Sequence, residues 1–332
     1  MPELTDKVRT RYRVLQRILL HQPIGRRTLA HMVGTTERVL RADVELFKGQ
    51  GLIDVGPLGM SLTEAGESLM EDLDSVISVL DGRQETERHL EEQLAIDRVV
   101  VVGGDSEQDE WSLRELGYSA AHALRAYLQP TCTVAVTGGS TMAAMAEGMP
   151  RAPSASSIVV VPARGGLGEQ VELLANTIAS RLAEKLGGSY RMFHVPDSLS
   201  AQTAEQLSQE PAVQEVVEQI RAADIVIHGI GEALTMARRR RLDEATVDLL
   251  NGRGAVAEAF GYFFDENGQI VHIMNTVGLR LEDLARIPVV IGVAGGTGKG
   301  TAIRAAARAY RIDALITDEG AAQAITGLAQ TY

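Results

Sequence analysis

A short segment near the middle of the chain has the composition of an anion-binding loop. Val134–Val136 is apolar without alternation, as in a parallel strand that is covered on both faces. Gly138 and Gly139 follow and allow a tight turn that a ligand can approach closely. Ser140 and Thr141 then fall at a predicted helix start, where unpaired backbone N–H groups and the helix dipole favour a phosphate. An ordinary strand-to-helix turn with Ser140 as its cap is the alternative interpretation.

Two more segments place a cation where a strand is predicted to end. Arg164 follows the apolar run Ser157–Pro162, and Lys299 ends the glycine-rich segment after Val289–Val293. Strands and helices alternate from residue 98 onward, which predicts an α/β body of the Rossmann-like, doubly wound type with helices on both faces of a parallel sheet. Ligands of such sheets bind at the carboxyl ends of the strands. The three segments are therefore predicted to meet at one ligand site.

Further strands are predicted where apolar and β-branched residues cluster. Tyr190–Val195 is expected to add a strand to the sheet. Val256–Phe264 and Gln269–Ile273 flank an Asn-Gly dipeptide and predict an inserted hairpin.

The charge of the chain is unevenly distributed. The 332 residues carry a formal net charge of −12, yet residues 1–60 hold ten Lys and Arg against six Asp and Glu, a net charge of +4. A small basic domain on an acidic body fits a polyanion-binding head joined to a regulatory module, and a chance asymmetry is the alternative. The chain has one cysteine, Cys132, no apolar run of membrane-spanning length and no apolar signal segment at its N-terminus, so a cytoplasmic location is expected.

The first 65 residues have the pattern of a winged helix-turn-helix domain. Helices are predicted over residues 5–21, 25–34 and 36–49, with Val39, Leu40, Val44 and Phe47 on one side of the third helix, and a hairpin around Gly56–Gly59 follows. In that fold the third helix enters the major groove of DNA. Arg38 and Arg41 on the third helix are predicted to read guanine through their guanidinium groups. Arg26, Arg27, Thr35, Thr36 and Lys48 are predicted to contact phosphates. The predicted DNA-binding residues are Arg26, Arg27, Thr35, Thr36, Arg38 and Arg41. A solvated charged face on a small structural domain is the alternative.

A helical segment over residues 66–96 is predicted to join this head to the body at residue 97. Leu69, Leu73, Val76 and Leu80 step by 4, 3 and 4, and the range Leu90–Leu94 resumes the pattern. Such a seam favours pairing with a second subunit, in a homodimer or homotetramer, because two heads can then contact two half-sites. Packing against the same chain is the alternative.

Five spaced motifs together resemble the sugar-binding regulators of the SorC type. They are Thr137–Thr141, Pro162–Glu169, His228–Glu232, Glu258–Tyr262 and Ala294–Lys299. The head segments Pro23–Arg27 and Thr36–Arg41 are similar to those of the members that repress glycolytic genes. The resemblance covers nearly the whole chain. It implies a winged-helix DNA-binding domain and a body related to sugar-phosphate isomerases and glucosamine-phosphate deaminases.

The resemblance also implies a function and a set of ligand-binding residues. It implies a repressor whose operator binding is modulated by a phosphorylated sugar, fructose-1,6-bisphosphate in first place, with no cofactor and no metal. The effector-binding positions carried over by the motifs are Gly138, Gly139, Ser140, Thr141, Arg164, Arg239, Arg240, Glu258 and Lys299. Arg239 and Arg240 lie in the run Arg238–Arg241, so other arginines of the run are candidates too. Leu174 stands where the family offers a glutamine, so one polar contact is predicted to be lost or replaced.

Other functions of such a body are less consistent with the residues. A sugar-phosphate isomerase or deaminase is the main alternative, but Gly229–Ala233 is not followed by the Asp-Gly-His of the deaminases. His228 is expected to be a core or rim histidine instead of an acid–base catalyst. Gly295–Lys299 lacks the earlier glycine and the Ser or Thr of a nucleotide-binding P-loop, and no Gly-x-Gly-x-x-Gly pattern follows a strand as an NAD site requires.

Overall fold

The computed structural model describes residues 2–151, 157–166, 170–196 and 199–327. The chain forms two compact units, a head over residues 1–85 and a body over residues 86–332. The elements of the head are α1 (Pro2–His21), α2 (Arg26–Met32), α3 (Glu37–Gly49), β1 (Ile53–Gly56), β2 (Gly59–Leu62) and α4 (Glu64–Leu80).

The third helix of the head confirms the predicted segment. Thr36 caps α3 through its side chain, which accepts a hydrogen bond from the N–H of Val39. Leu40, Val44 and Phe47 are buried at spacings of four and three, as one helix face requires. Val39 was predicted on that face, and this is wrong: its side chain is 56% exposed. Successive helix residues point about 100° apart, so Val39 turns away from the core that Leu40 enters.

The predicted wing is a two-stranded antiparallel hairpin. Ile53 of β1 pairs with Leu62 of β2, and both side chains are buried in the core of the head. Gly59 has a φ of +138°, and a Cβ there would lie 2.6 Å from the backbone of Ile24. Only glycine fits this approach, which holds the wing against the segment that joins α1 to α2.

Residues 66–96 were predicted to form a separate helical connection, but in the structure they are divided between the head and the body. In α4, Met70 and Ile77 are buried in the core of the head. The next helix, α5 (Arg83–Leu94), buries Leu90 and Leu94 in the core of the body instead. These two leucines therefore do not continue a surface seam.

Part of the apolar seam on α4 is buried within the head. Leu69 and Leu73 pack against the core of the head, which is the alternative of packing within one chain. Val76 and Leu80 are exposed. Half of the apolar seam is thus available on the surface of α4, and pairing with a second subunit stays a prediction.

The body contains the predicted parallel sheet. Seven strands pair in the order β3-β13-β12-β7-β4-β5-β6, and every pair is parallel. Apolar clusters lie on both faces of the sheet, as expected of strands that are covered by helices on each side. The strands are β3 (Arg98–Val102), β4 (Thr133–Val136), β5 (Val159–Pro162), β6 (Ser189–Tyr190), β7 (Ile225–Gly229), β12 (Val289–Val293) and β13 (Ala314–Asp318).

A second sheet of four short antiparallel strands is inserted in the body. The inserted hairpin is confirmed, but the segment predicted as its first strand, Val256–Phe264, consists of two strands with a turn at Phe260 and Gly261. The strands of this sheet are β8 (Gly231–Glu232), β9 (Ala255–Ala259), β10 (Tyr262–Asp265) and β11 (Ile270–Ile273). In the main sheet, the predicted strand Tyr190–Val195 is shorter than expected, since only its first residue lies in a strand.

Helices cover both faces of the main sheet. Two of them, α9 and α10, occupy a polar region to which no element was assigned from the sequence. The helices of the body are α6 (Glu110–Tyr127), α7 (Ser140–Gly148), α8 (Ala175–Leu186), α9 (Ala201–Gln209), α10 (Pro211–Arg221), α11 (Ala233–Arg239), α12 (Glu244–Gly252), α13 (Gly300–Ala309) and α14 (Glu319–Thr326). Across the described segments of the chain, none of the helices has the length and apolar character that crossing a membrane requires.

Candidate functional site

A cavity of about 1060 Å³ lies in the body, where several strands of the main sheet reach their carboxyl ends. This is the edge at which doubly wound sheets bind ligands. All of the predicted effector-binding residues line it: Gly138, Gly139, Ser140, Thr141, Arg164, Arg239, Arg240, Glu258 and Lys299. The structure thus brings together residues that are more than 150 positions apart in the sequence.

The loop between β4 and α7 presents an open helix start to the cavity. Gly139 is the residue before α7, has a φ of +119° and provides no capping side chain. The first N–H groups of a helix have no partner within the helix. Ser140 and Thr141 begin α7 without a side-chain cap from Gly139, and both residues line the cavity. This arrangement matches an anion-binding helix start. Ser140 was considered as the cap of an ordinary turn, but it is the first residue of α7 instead.

Gly138 is needed for a different reason. A Cβ at Gly138 would lie 2.7 Å from the carbonyl oxygen of Leu173. The same carbonyl accepts a hydrogen bond of 2.9 Å from the N–H of Gly139. The segment before α8 therefore rests on the turn and forms part of the cavity wall, where Gln170 and Leu174 also lie. A polar contact is predicted to be lost or replaced at Leu174. Gln170 is a polar residue in the same wall of the cavity.

Glu258 is a buried carboxylate that holds two arginines of the cavity wall. Its two carboxylate oxygens accept hydrogen bonds of 3.0 and 3.1 Å from Nη2 of Arg240. Nη1 of Arg164 lies 3.9 Å from Glu258 Oε1, and the N–H of Gly261 donates to that oxygen over 2.7 Å. Burial raises the pKa of Glu258, while Arg164 and the N–H of Gly261 lower it. In this structure Glu258 therefore orients Arg240 and Arg164 in the cavity wall, and its contact with an effector stays a prediction.

The arginine run divides between the cavity and the surface. Arg239, Arg240 and Arg241 line the cavity, and Arg238 does not. The helix α11 ends at Arg239, and Arg241 has a left-handed φ of +53°. This break in the helix lets three consecutive arginines face one cavity, which a continuous helix with residues 100° apart would not allow.

The loop after β12 is glycine-rich as well, but carboxylates of the chain occupy its N–H groups. The N–H of Gly296 donates to Asp318 over 2.9 Å, and the N–H of Gly298 donates to Glu107 over 2.8 Å. Lys299 is half-buried beside them. Burial lowers the pKa of Lys299, and the carboxylates of Asp318 and Glu107 raise it.

His228 is a core residue with no access to the cavity. Its side chain is 0% exposed, and its ring centroid lies 4.5 Å from that of Phe260. Nδ1 lies 3.0 Å from the carbonyl oxygen of Gly229, whereas Nε2 has no hydrogen-bond partner among the described residues. Burial lowers the pKa of His228 to about 4, so the ring is neutral at pH 7. The expectation of a core histidine is confirmed.

Glu107 and Gln170 are cavity residues that the sequence reasoning did not identify. Glu107 follows β3, and the rule that ligands bind at strand ends would have found it if it had been applied to that strand. In the Pro162–Glu169 motif, residues 167–169 lie outside the described segments. Within the described segments, no group of three or more His, Cys, Asp or Glu side chains is arranged to hold a metal ion.

The head carries its predicted DNA-binding residues on and around α3. Arg38 and Arg41 are exposed on the side of α3 that faces away from its buried residues, and Arg27 is exposed on α2. Arg26 and Thr35 are half-buried. Thr36 serves as the cap of α3, although it too is exposed at the surface. Arg38 and Arg41 are thus exposed on α3, and their contact with DNA stays a prediction.

Comparisons with known proteins match both units. Residues 80–326 match the family model described as "Putative sugar-binding domain", and residues 8–77 match the model "CggR N-terminal DNA binding domain". The chain is 45% identical to the Central glycolytic genes regulator of Priestia megaterium, over 97% of this chain and 95% of that protein.

Two solved structures of similar fold match the larger part of the chain. "The putative SorC family transcriptional regulator from Enterococcus faecalis" is 42% identical, with a TM-score of 0.68 over 73% of this chain and 99% of that chain. The full-length sorbitol operon regulator SorC from Klebsiella pneumoniae has a TM-score of 0.70 over 95% of this chain and 98% of that chain. At 18% identity, this second likeness concerns the fold alone.

Proposed function

The chain belongs to the SorC family of sugar-binding transcriptional regulators, and from that premise we propose that it represses glycolytic genes and responds to a phosphorylated sugar. Fructose-1,6-bisphosphate is the effector that we propose in first place. The chain is a regulator with a DNA-binding and a sugar-binding domain, not an isomerase or deaminase. It would bind its operator in the cytoplasm.

One observation carries the choice of a phosphorylated ligand. The cavity joins an uncapped helix start at Gly139 with the cations Arg164, Arg239, Arg240 and Lys299. A sugar phosphate presents oxygens with strong negative charge, which helix N–H groups and guanidinium forks bind well. The chain as a whole carries a net charge of −12, so this concentration of positive charge favours a specific anion over a general affinity for anions.

The head provides the output of the proposed switch. Arg38 and Arg41 would read base edges in the major groove, and Arg26, Arg27, Thr35 and Thr36 would contact the phosphate backbone. We propose a homodimer or homotetramer, which would place two heads on two half-sites. The effector can change operator binding only by the difference between its affinities for the DNA-bound and the free arrangement.

The experiment compares two pairs of variants of the full chain. An operator duplex is first selected from a random library by the purified protein, and binding is followed by fluorescence anisotropy with and without fructose-1,6-bisphosphate. Arg38→Ala and Arg41→Ala should each weaken operator binding by about tenfold, because a bidentate contact to a base contributes about 1–3 kcal/mol. Both variants should still bind the sugar phosphate, which a thermal-shift assay reports because a ligand stabilises the folded body.

The reciprocal pair acts on the cavity. Lys299→Ala and Arg164→Ala should leave operator binding intact and reduce the response to the effector by tenfold or more, as about 1.5–3 kcal/mol is typical of a hydrogen bond to a charged group. If Arg164→Ala abolished operator binding in a folded protein, the assignment of roles would be wrong. Turnover of any sugar phosphate by the purified protein would contradict the proposal as a whole.

A further inference from the structure

The glycine-rich loop after β12 has the chemistry of an anion site, yet a carboxylate of the chain already occupies it. Oε2 of Glu107 accepts a hydrogen bond of 2.8 Å from the N–H of Gly298. Glu107, Gly298 and Lys299 all line the cavity, together with Ser140 from the loop after β4. A negative group of the ligand that reached Gly298 and Lys299 would meet the carboxylate of Glu107 in the same place.

The two carboxylates that accept from backbone N–H groups of this loop differ in how firmly they are held. Asp318 is 0% exposed and accepts from the N–H groups of Gly296, Ala321 and Ser106 over 2.9, 2.8 and 2.7 Å. It is a fixed part of the core. Glu107, by contrast, is exposed at the surface and accepts from Gly298 alone in the described contacts. An exposed carboxylate with a single donor costs little to move.

The surroundings favour a negative charge at this place whether or not Glu107 provides it. Lys299 follows Gly298 on the loop, and Glu107 is one of the two carboxylates that raise its pKa. Arg239 lies close enough to lower the pKa of Lys299. A phosphate that replaced Glu107 would therefore meet Lys299 and the N–H of Gly298, in a cavity that Arg239 also lines.

We propose that Glu107 is a specificity-determining residue, whose carboxylate competes with a second anionic group of the ligand at the Gly298–Lys299 end of the cavity. The inference rests on the proposed function, in which a first phosphate binds at the start of α7. A sugar monophosphate binds there with Glu107 in place. A sugar bisphosphate must displace Glu107 from Gly298, so its affinity is reduced by the charge of that side chain.

The test compares a hexose bisphosphate with a hexose monophosphate on the full chain. Affinities of fructose 1,6-bisphosphate and fructose 6-phosphate are measured by isothermal titration calorimetry for the wild type, Glu107→Gln and Glu107→Ala. Glu107→Gln keeps an oxygen that can accept from Gly298 but removes the charge. It should bind the bisphosphate about fivefold more tightly, since an exposed charge interaction amounts to about 1 kcal/mol. Its affinity for the monophosphate should change by less than about twofold.

A matched control separates this effect from a general change of charge. Glu110 lies three residues further on, pairs with Arg114 on the exposed face of α6 and does not line the cavity. Glu110→Gln should leave both affinities as they are. Glu107→Ala should give a gain for the bisphosphate at least as large as that of Glu107→Gln.

The outcomes distinguish this inference from the proposed function. If the wild type binds sugar phosphates but Glu107→Gln changes both affinities equally, or weakens the bisphosphate, the role of Glu107 is wrong and the proposed function stands. If neither the wild type nor any variant binds a sugar phosphate, the proposed function fails and this inference fails with it.

Discussion

The two glycine-rich loops that follow β4 and β12 have similar sequences, but their backbone N–H groups have different partners in the fold. The loop at Gly138 and Gly139 leads into α7 with no capping side chain. The loop at Gly296 and Gly298 has its N–H groups bound by Asp318 and Glu107. Glycine-rich composition makes N–H groups accessible, and the acceptors that the fold brings to them decide which remain free for a ligand. These acceptors are the carbonyl of Leu173 for Gly139 and two carboxylates for Gly296 and Gly298.

Pairing within the chain should matter most at Glu258, the buried carboxylate in the cavity wall, where loss of its partner is expected to lower the free energy of unfolding. Arg240→Ala would remove the donor to both of its oxygens, and breaking a buried ion pair costs about 3–5 kcal/mol. The free energy of unfolding is measured in urea through the fluorescence of Trp111, which is the only tryptophan and lies in the body. Arg238→Ala is the control, because Arg238 is exposed and outside the cavity, and it should cost less than about 0.5 kcal/mol. Equal losses in the two variants would show that Glu258 does not depend on Arg240.

The strand between the two loops, β7, predicts a dependence of stability on pH. His228 has its pKa lowered from 6.5 to about 4 by burial, so below pH 6.5 the unfolded chain takes up a proton that the folded chain refuses. Stability should therefore fall as the pH drops from 7 to 4, by about 3 kcal/mol from this residue. The same urea measurement on His228→Gln should show a smaller fall over that interval. A pH dependence identical to that of the wild type would mean that folding does not lower the pKa of His228.

At the loop after β12, the difference between the fixed carboxylate of Asp318 and the displaceable carboxylate of Glu107 can be tested. Asp318→Asn replaces one acceptor oxygen by an amide group, which leaves a buried N–H without a partner and should destabilise the body by about 2 kcal/mol. Glu107→Gln should cost less than about 0.5 kcal/mol, because the side chain is exposed. A thermal-unfolding comparison of the two variants measures this difference. Similar losses would contradict the view that only Asp318 is a structural part of the loop.

The smallest expected effect compares one glycine from each loop. In Gly138→Ala the new Cβ would lie 2.7 Å from the backbone carbonyl oxygen of Leu173, and overpacking against a backbone costs about 1–2 kcal/mol. In Gly298→Ala it would meet Glu107 Oε2 at 2.8 Å, the far end of a flexible side chain that can move away. Thermal unfolding should therefore report a loss for Gly138→Ala alone. A larger loss for Gly298→Ala would indicate that Glu107 is held rigidly.

Much of the fold follows from local patterns in the sequence. The apolar runs at β4, β5 and β12 are long enough and hydrophobic enough to be found without knowledge of their neighbours. The helix α3 was predicted within one residue because Thr36 is a side-chain cap and a periodic apolar face follows it. The polar helices α9 and α10 and the turn at Phe260 and Gly261 were not predicted, because their signals are weak or interrupt an apolar run.

The residue types that form the site can be recognised from the sequence. Only the tertiary structure shows which of them are already paired with other residues of the chain. Gly138, Arg164 and Lys299 are recognisable because each follows an apolar strand, and parallel strands carry such residues to one edge. Only the fold brings Glu258 to Arg240 and Glu107 to Gly298. The reason is physical: a strand is specified by its neighbours in sequence, whereas a charge is paired by its neighbours in space, 191 positions away in the case of Glu107.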